Sequence, residues 1–460
     1  MISRNSEKNT RVAFYTLGCK VNQYESQALA ERLVSLGCEV VPPDEKADIY
    51  VINSCTVTGL ADRKSRNLAR RSKRLNPNAL TVLAGCYAET VGESLKGMPE
   101  VDMLVGNSDK KRLPELLADH IFIKTELPNC EPEVFVTGLA GRARAYVKIE
   151  DGCDRCCSYC IVPRVRGGVR SRGLDDIAAE ASALVANGYK EIVLTGVNAA
   201  LYGRELGLGI IDVVDAVSSI GGDFRIRLSS LEPTVIDAAY VRELVKRERL
   251  CPHLHLSLQS GSDAVLSAMR RGYTMGDYIR IVEALKMHDP LFSITTDIIA
   301  GFPGETDADH EASLGAVREV GFSRVHVFRY SRRAGTPAAN MDGQVPSSIK
   351  AERSHALISE GAKSAESFMG KNIGSRRRVL FYEPSFSDRG APTGSARPED
   401  ELRAQITPSG IASRKDDHPS PKATYRGITD NDIEIRMESK KDISNAFKYV
   451  SLGWDCVFPC

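Results

Sequence analysis

Three cysteines in the stretch from Asp151 to Gly168, DGCDRCCSYCIVPRVRGG, carry the most definite chemistry in this chain. Cys153, Cys157 and Cys160 follow a C-x3-C-x2-C spacing, which brings three soft thiolates onto one short loop and suits iron–sulfur ligation. Three ligands leave one iron of a four-iron cluster open, and an open metal position is what a reactive centre needs. The competing reading is a zinc knuckle, with Cys153 and Cys156 as one C-x2-C pair and Cys157 and Cys160 as the other. Zinc ribbons hold such pairs about 15–20 residues apart so that they face each other, whereas here the pairs abut.

A second set of thiols lies upstream. Cys19, Cys55 and Cys86 each close a β-rich run, VAFYTLGC, DIYVINSC and LTVLAGC, and DMLVG supplies a fourth run without a cysteine. Between the first two runs Leu29, Leu33 and Leu36 recur at helical spacing, with Gly37 as the stop. Alternating strands and helices predict an open parallel α/β sheet, in which ligands sit beyond the carboxyl ends of the strands. Three cysteines at equivalent strand ends therefore form a second three-thiolate site, the plainer alternative being three buried structural cysteines. Between Cys55 and Cys86, ADRKSRNLARRSKRLNP presents Arg63, Lys64, Arg66, Arg70, Arg71, Lys73 and Arg74 on a helical stretch. No Asp or Glu interrupts these seven, so the stretch reads as a phosphate-neutralising face rather than a solvated one.

The element that positions the Cys153 loop is the central part of the chain. Six strand-like runs, AYVKI, EIVLT, FRIRLSS, HLHLSL, FSITTDIIA and VHVFRY, each precede a helical segment. After the loop, Ile177, Ala181, Leu184 and Val185 stand at helical spacing and Asn187-Gly188 closes the helix. Repeated βα units imply a parallel sheet with right-handed crossovers, and six are too few for a closed eightfold barrel. The expectation is an open partial barrel with the cysteine loop after its first strand. The other strand ends are polar: Thr195, Gly196 and Asn198; Ser229, Ser230 and Glu232; Gln259, Ser260 and Gly261; with Asp297 inside the fifth run. Such residues also serve ordinary turns. His326 is either a substrate ligand or an ordinary histidine.

On these strings a resemblance can be stated. GCDRCCSYCIVPRVRGG resembles the cluster loop of the methylthiotransferases within the radical S-adenosylmethionine (SAM) superfamily, and TTDIIAGFPGET resembles a further string of that family. Cys156 stands where relatives carry an aromatic. TLGCKVNQYES resembles the subfamily acting on threonylcarbamoyladenosine of tRNA more than the sister groups acting on isopentenyladenosine or on a ribosomal-protein aspartate. The resemblance implies a two-cluster enzyme that adds a methylthio group to C2 of threonylcarbamoyladenosine at position 37. A [4Fe-4S] cluster would be held by Cys153, Cys157 and Cys160, and an auxiliary one by Cys19, Cys55 and Cys86. SAM would be bound by Tyr159, Gly196, Asn198, Ser229, Glu232, Gln259 and Asp297, with the Ser229 and Glu232 set beside its amino group. One electron from the reduced cluster then cleaves SAM to a 5'-deoxyadenosyl radical, so no acid–base dyad is required. The implied partners are the tRNA anticodon stem-loop and a flavodoxin- or ferredoxin-type electron donor. A second class of reading is a non-catalytic, metal-containing RNA-binding protein.

The fold class that follows is α/β in three parts: an N-terminal sheet domain over 11–135, a partial (βα)6 radical SAM barrel over 140–370, and a small β-barrel-like domain over 371–460. In the last part VLFYE follows Arg376, Arg377 and Arg378, and DIEIRM alternates Ile433, Ile435 and Met437. It resembles the RNA-binding TRAM domain. Residues 383–423, with six Pro, read as a disordered insertion. Cys456 and Cys460 form a terminal C-x3-C pair with no third partner nearby. With 460 residues, 42% of them hydrophobic, the chain can bury several cores. A formal net charge of +1 leaves any nucleic-acid surface to local clustering. MISRNSEKNT has no apolar run, and no 18-residue apolar stretch occurs, which predicts a cytoplasmic protein without membrane contact.

Overall fold

The computed structural model describes residues 9–92, 97–118, 120, 136, 143–384 and 423–457. These residues fall into two compact units: those before residue 141 together with 161–168, and those of 143–160, 169–384 and 423–457.

The first unit is built on a five-stranded, wholly parallel sheet in the order Glu39–Val41, Arg11–Thr16, Ile49–Ser54, Leu80–Gly85, Met103–Val105. Its central strands are near-continuous apolar runs because both faces are covered, as parallel sheets require. Val12, Ile49, Val51 and Val82 pack on one side with Leu29 and Leu33 of the Lys20–Ser35 helix. Tyr15, Tyr50, Ile52 and Leu83 pack on the other with Ala69 of the Gly59–Leu75 helix. The chain reverses its direction of travel between Arg11–Thr16 and Ile49–Ser54, so the crevice at the switch point opens beside Cys19 and Cys55. The sequence indicates four strands here. The fifth, Glu39–Val41, is a three-residue edge with an exposed Glu39, too short to show a period.

In the second unit all six expected runs form strands, ordered as they occur in the chain. Arg144–Lys148, Glu191–Thr195 and Arg225–Leu228 make one parallel sheet, and Ser230–Leu231, His253–Leu256, Ser293–Ala300 and Arg324–Arg329 make the next. The break falls at Ser229 inside the FRIRLSS run. An isolated parallel bridge from Ile226 to Leu250 carries the pairing across it, giving an open, six-stranded partial barrel. The helix after the cysteine loop spans Leu174–Ala186 and buries Ile177, Ala181 and Leu184.

The base of this barrel is charged and buried. Glu191 is fully buried and receives Arg144 at 2.7 Å, Arg225 at 2.6 Å and Arg227 at 3.0 Å, which hold its carboxyl well below the usual range against the opposing effect of burial. The arginines also donate outward to the C-terminal sheet: Arg225 to the carbonyls of Arg378 and Ile428, and Arg227 to those of Thr429 and Asp430. Such a network is retained only when every member finds partners. The sheet that caps it is four-stranded and antiparallel, Glu434–Ser439, Ala423–Thr429, Arg376–Pro384, Phe447–Ser451, curled over Phe368, Val379, Phe381, Tyr425 and Ile435. It is a half-barrel of the small β-barrel kind expected. The insertion is shorter at both ends than residues 383–423, because the flanking strands reach Pro384 and begin at Ala423. The remainder, and Cys460, lie outside the described residues.

Candidate functional site

In the second unit the loop after the first barrel strand holds Cys153 and Cys157 buried and Cys160 half-buried. The loop is pinned from both sides. Ser158 donates its backbone N–H to the Met269 carbonyl at 3.0 Å and its hydroxyl to Ala268 O at 2.8 Å, and its own carbonyl accepts from Ala338 N–H at 2.8 Å. Burial pushes the Cys153 thiol up to about 11, partly offset by a hydrogen bond from the Arg155 backbone. A buried thiol of this kind becomes a thiolate only with a positive partner, which a bound metal supplies. Cys156 is exposed, its Sγ lying 3.9 Å from the Asp154 carbonyl.

Arg271, 5% exposed, ties this loop to the polar strand ends. It donates to Cys157 Sγ at 3.1 Å and Tyr159 Oη at 3.5 Å, and pairs with Glu232 Oε1 at 3.2 Å. Glu232 Oε2 accepts from Asn198 Nδ2 at 2.7 Å and faces Arg155 Nε at 3.4 Å. The Gly196 N–H points at Ser229 Oγ at 3.3 Å, and Asn198 N–H donates to Glu150 Oε2 at 3.0 Å. A Cβ on Gly196 would collide with that Glu150 carboxylate. Tyr159, Gly196, Asn198, Ser229 and Glu232 are thus joined in one polar cluster. Among the buried atoms at these strand ends, Thr195 Oγ1 and Asn198 Oδ1 have no hydrogen-bond partner among the described residues, which fits a pocket built for a polar ligand. Gln259 sits across the barrel with φ 72°, its backbone bonded to Asp297 O and Ile299 N. Asp297 is engaged elsewhere: its two carboxylate oxygens face His255 at 3.1 Å and His326 at 3.2 Å. Arg271, Glu150 and Arg155 carry no spacing signal, since each meets its partners across tens of residues of sequence.

In the first unit Cys19 is the N-cap of the Lys20–Ser35 helix, Cys55 follows Ile49–Ser54 directly, and Cys86 opens the Cys86–Val91 helix. The three thiols act on one another electrostatically. Cys19 is open to solvent, yet desolvation by its surroundings still raises its thiol pKa, and burial pushes Cys55 up to about 12. Gly18, at φ +93°, makes the convergence possible: a Cβ there would stand 2.7 Å from Cys55 Cβ and 2.9 Å from its Sγ. The charge that favours thiolates here is Arg166, buried beside the triad and paired with Glu25 at 3.2 Å. Asn107 Nδ2 lies 3.5 Å from Cys86 Sγ and donates to Val165 O at 2.6 Å.

The basic helix is partly neutralised, contrary to the expectation of seven unpaired cations. Arg66 donates to Tyr87 and lies over its ring, Lys73 pairs with Asp102 at 2.6 Å, and Arg70 approaches Glu100 at 3.8 Å. The partners come from outside the helix, which is why its own sequence hides them. Arg63, Arg71 and Arg74 remain exposed, with no ion pair among the described residues. Replacing these three by Ala is expected to weaken RNA binding and to reduce the slope of log affinity against log salt by about 2–3. An unchanged slope across a salt series would return the helix to a solvated face.

Two family models match the chain: the Uncharacterized protein family UPF0004 over residues 11–106 and the Radical SAM superfamily over 147–317. The threonylcarbamoyladenosine tRNA methylthiotransferase MtaB of Thermotoga maritima is 43% identical over 80% of this chain and 86% of its own. The chain belongs to the radical SAM tRNA methylthiotransferase family. The MtaB protein of Bacillus subtilis is 37% identical over 78% of this chain and 81% of its own. A tRNA-2-methylthio-N(6)-dimethylallyladenosine synthase of Moorella thermoacetica is 34% identical over 83% and 89%. A family member of this kind is an enzyme and a transferase, and the Radical SAM match implies a [4Fe-4S] cluster and SAM. The match runs from the end of the first barrel strand into the Asp307–Val320 helix, and so includes the Cys153 loop and its polar neighbours. No helix among the described residues is long and apolar enough to cross a membrane.

Proposed function

We propose that this chain adds a methylthio group to C2 of N6-threonylcarbamoyladenosine at position 37 of tRNA. The observation that carries the proposal is the pair of three-thiol sites, each at the carboxyl end of a parallel sheet and each in a unit matched by a family model. The substrate is supported by the MtaB protein of Thermotoga maritima at 43% identity, against 34–38% for four dimethylallyladenosine synthases.

In this reading Cys153, Cys157 and Cys160 hold a [4Fe-4S] cluster that, when bound, supplies the one-electron reduction that splits SAM. The chain's own residues bind and orient. Glu232, held by Asn198 and Arg271, accepts from the SAM amino group, and Gly196 gives room beside Glu150 for the ligand to lie against the strand end. Asn198 Oδ1 and Thr195 Oγ1 gain the donors they lack, and Ser229 and Gln259 complete the polar wall. Tyr159 packs with Met269, Phe302 and Tyr330 and keeps water from the loop. Cys19, Cys55 and Cys86 hold the auxiliary cluster and with it the sulfur to be transferred, with Arg166 fixing their charge balance. The exposed arginines of the Gly59–Leu75 helix and the C-terminal half-barrel take the anticodon stem-loop, and a flavodoxin- or ferredoxin-type protein delivers the electron. Nucleoside mass analysis of tRNA from cells lacking this chain tests the proposal. Loss of 2-methylthio-threonylcarbamoyladenosine with accumulation of its unthiolated form is expected, and an unchanged nucleoside profile would refute it.

A further inference from the structure

The barrel carries a third group of metal-ligating side chains, distinct from both thiol sets. His255, Asp297 and His326 come from three adjacent parallel strands, with Asp297 directly opposite His326 and His255 opposite Thr295, two residues before Asp297. All three therefore project from the same face. Their ligand atoms lie within 4.8 Å of one another. His255 Nε2 is 3.1 Å from Asp297 Oδ2 and His326 Nδ1 is 3.2 Å from Asp297 Oδ1, so each imidazole addresses a different carboxylate oxygen. Bond lengths of about 2.0–2.2 Å to nitrogen and oxygen place neighbouring ligand atoms about 3.0–3.4 Å apart, the range of the two histidine–aspartate separations.

A hydrogen-bonded triad without metal would show the same spacing, and the surroundings of His255 add a second observation that favours a cation. Its ring is 8% exposed, and Nε2 makes no hydrogen bond among the described residues despite its closeness to Asp297. Nδ1 is 2.9 Å from Thr295 Oγ1, which also stands 3.1 Å from His253 Nε2. Thr295 donates its one hydroxyl hydrogen to one imidazole and accepts from the other; in one of the two arrangements His255 Nδ1–H donates to Thr295 and Thr295 donates to His253. That arrangement leaves a bare Nε2 lone pair facing a carboxylate oxygen, which is unfavourable until a cation lies between them. It is also the outer support that metal-bound histidines use, the second nitrogen fixed by a hydrogen bond.

We infer that His255 Nε2, Asp297 and His326 Nδ1 form a binding site for a divalent first-row transition cation of the zinc or ferrous class, for which two imidazoles and a carboxylate are the matched donors. His326 is exposed, which leaves the remaining coordination positions open to water or other oxygen donors. The site is independent of the thiols and stands whichever RNA the enzyme modifies.

Zn(II) alone is a sufficient probe. Full-length protein loaded with its clusters is dialysed anaerobically to equilibrium against Zn(II), and the retained ion is examined by X-ray absorption. One zinc per chain in a shell of nitrogen and oxygen with two imidazoles is expected. Asp297→Asn and His326→Ala should weaken retention by more than the roughly 100-fold that loss of an outer partner costs, with iron content unchanged. Thr295→Val, which removes only the support of His255, should weaken it by about 10–100-fold. No retained zinc, sulfur in its shell, or equal retention by His326→Ala would each overturn the site; His326→Ala is the secure variant because the side chain is exposed.

Discussion

Cys157→Ala protein is expected to form no 5'-deoxyadenosine above that of dithionite and SAM without protein, and no methylthio product. Removing one of three thiolates leaves the loop without a stable four-iron cluster. The same substitution removes one partner of the almost fully buried Arg271, whose guanidinium donates to Cys157 Sγ at 3.1 Å and keeps Tyr159 and Glu232. Losing one such hydrogen bond costs about 0.5–1.5 kcal/mol, a structural effect to be separated from loss of the cluster. Cys157→Ser separates the two effects: it returns an acceptor to Arg271 but not a thiolate to iron. Loss of 5'-deoxyadenosine in both variants, with normal melting for the serine variant, is the predicted pattern. Radical formation by folded Cys157→Ala protein would remove this triad from SAM cleavage.

The second large effect separates the triads. Folded Cys55→Ala protein should lose methylthio product completely while still cleaving SAM to 5'-deoxyadenosine, since the cleaving site lies wholly in the barrel unit. Alanine is the right substitution because the close approach at this point is to Cβ: Gly18 leaves room for Cys55 Cβ, and alanine keeps that atom while deleting Sγ. Cys19→Ala and Cys86→Ala should behave alike, as three ligands of one cluster must. Normal methylthio product from folded Cys55→Ala protein would make the auxiliary site structural and require sulfur from elsewhere. Joint loss of product and 5'-deoxyadenosine would mean that the two sites do not act separately.

What was legible in the sequence was whatever depends on local period and spacing. All six barrel strands could be read because each is a β-rich run closed by turn residues, and the three strand-end cysteines of the first sheet could be read because a parallel sheet aligns its carboxyl ends. What was hidden depends on partners distant in sequence. Arg271 reaches Cys157 across 114 residues, and nothing local in MRRGY marks it. Arg225 and Arg227 alternate with Ile226 and Leu228 as a half-solvated strand would, yet both are buried on Glu191 because the C-terminal sheet closes that end of the barrel with its carbonyls. The basic helix misleads for the same reason, its counter-charges Glu100 and Asp102 lying after the next strand. Asp297 illustrates the limit at the site itself: its strand position could be read, but its engagement by two imidazoles from neighbouring strands depends on register.

The central claim is the identity of the modified base, and a reaction with defined RNA tests it most directly. Cluster-loaded protein, SAM and dithionite are incubated with two anticodon stem-loops of the same sequence, one carrying threonylcarbamoyladenosine and the other isopentenyladenosine at position 37, and the digested nucleosides are resolved by mass spectrometry. The account predicts a methylthio group on C2 of the threonylcarbamoyladenosine and none on the isopentenyladenosine. Methylthiolation of the isopentenyladenosine stem-loop at an equal or greater rate would contradict it.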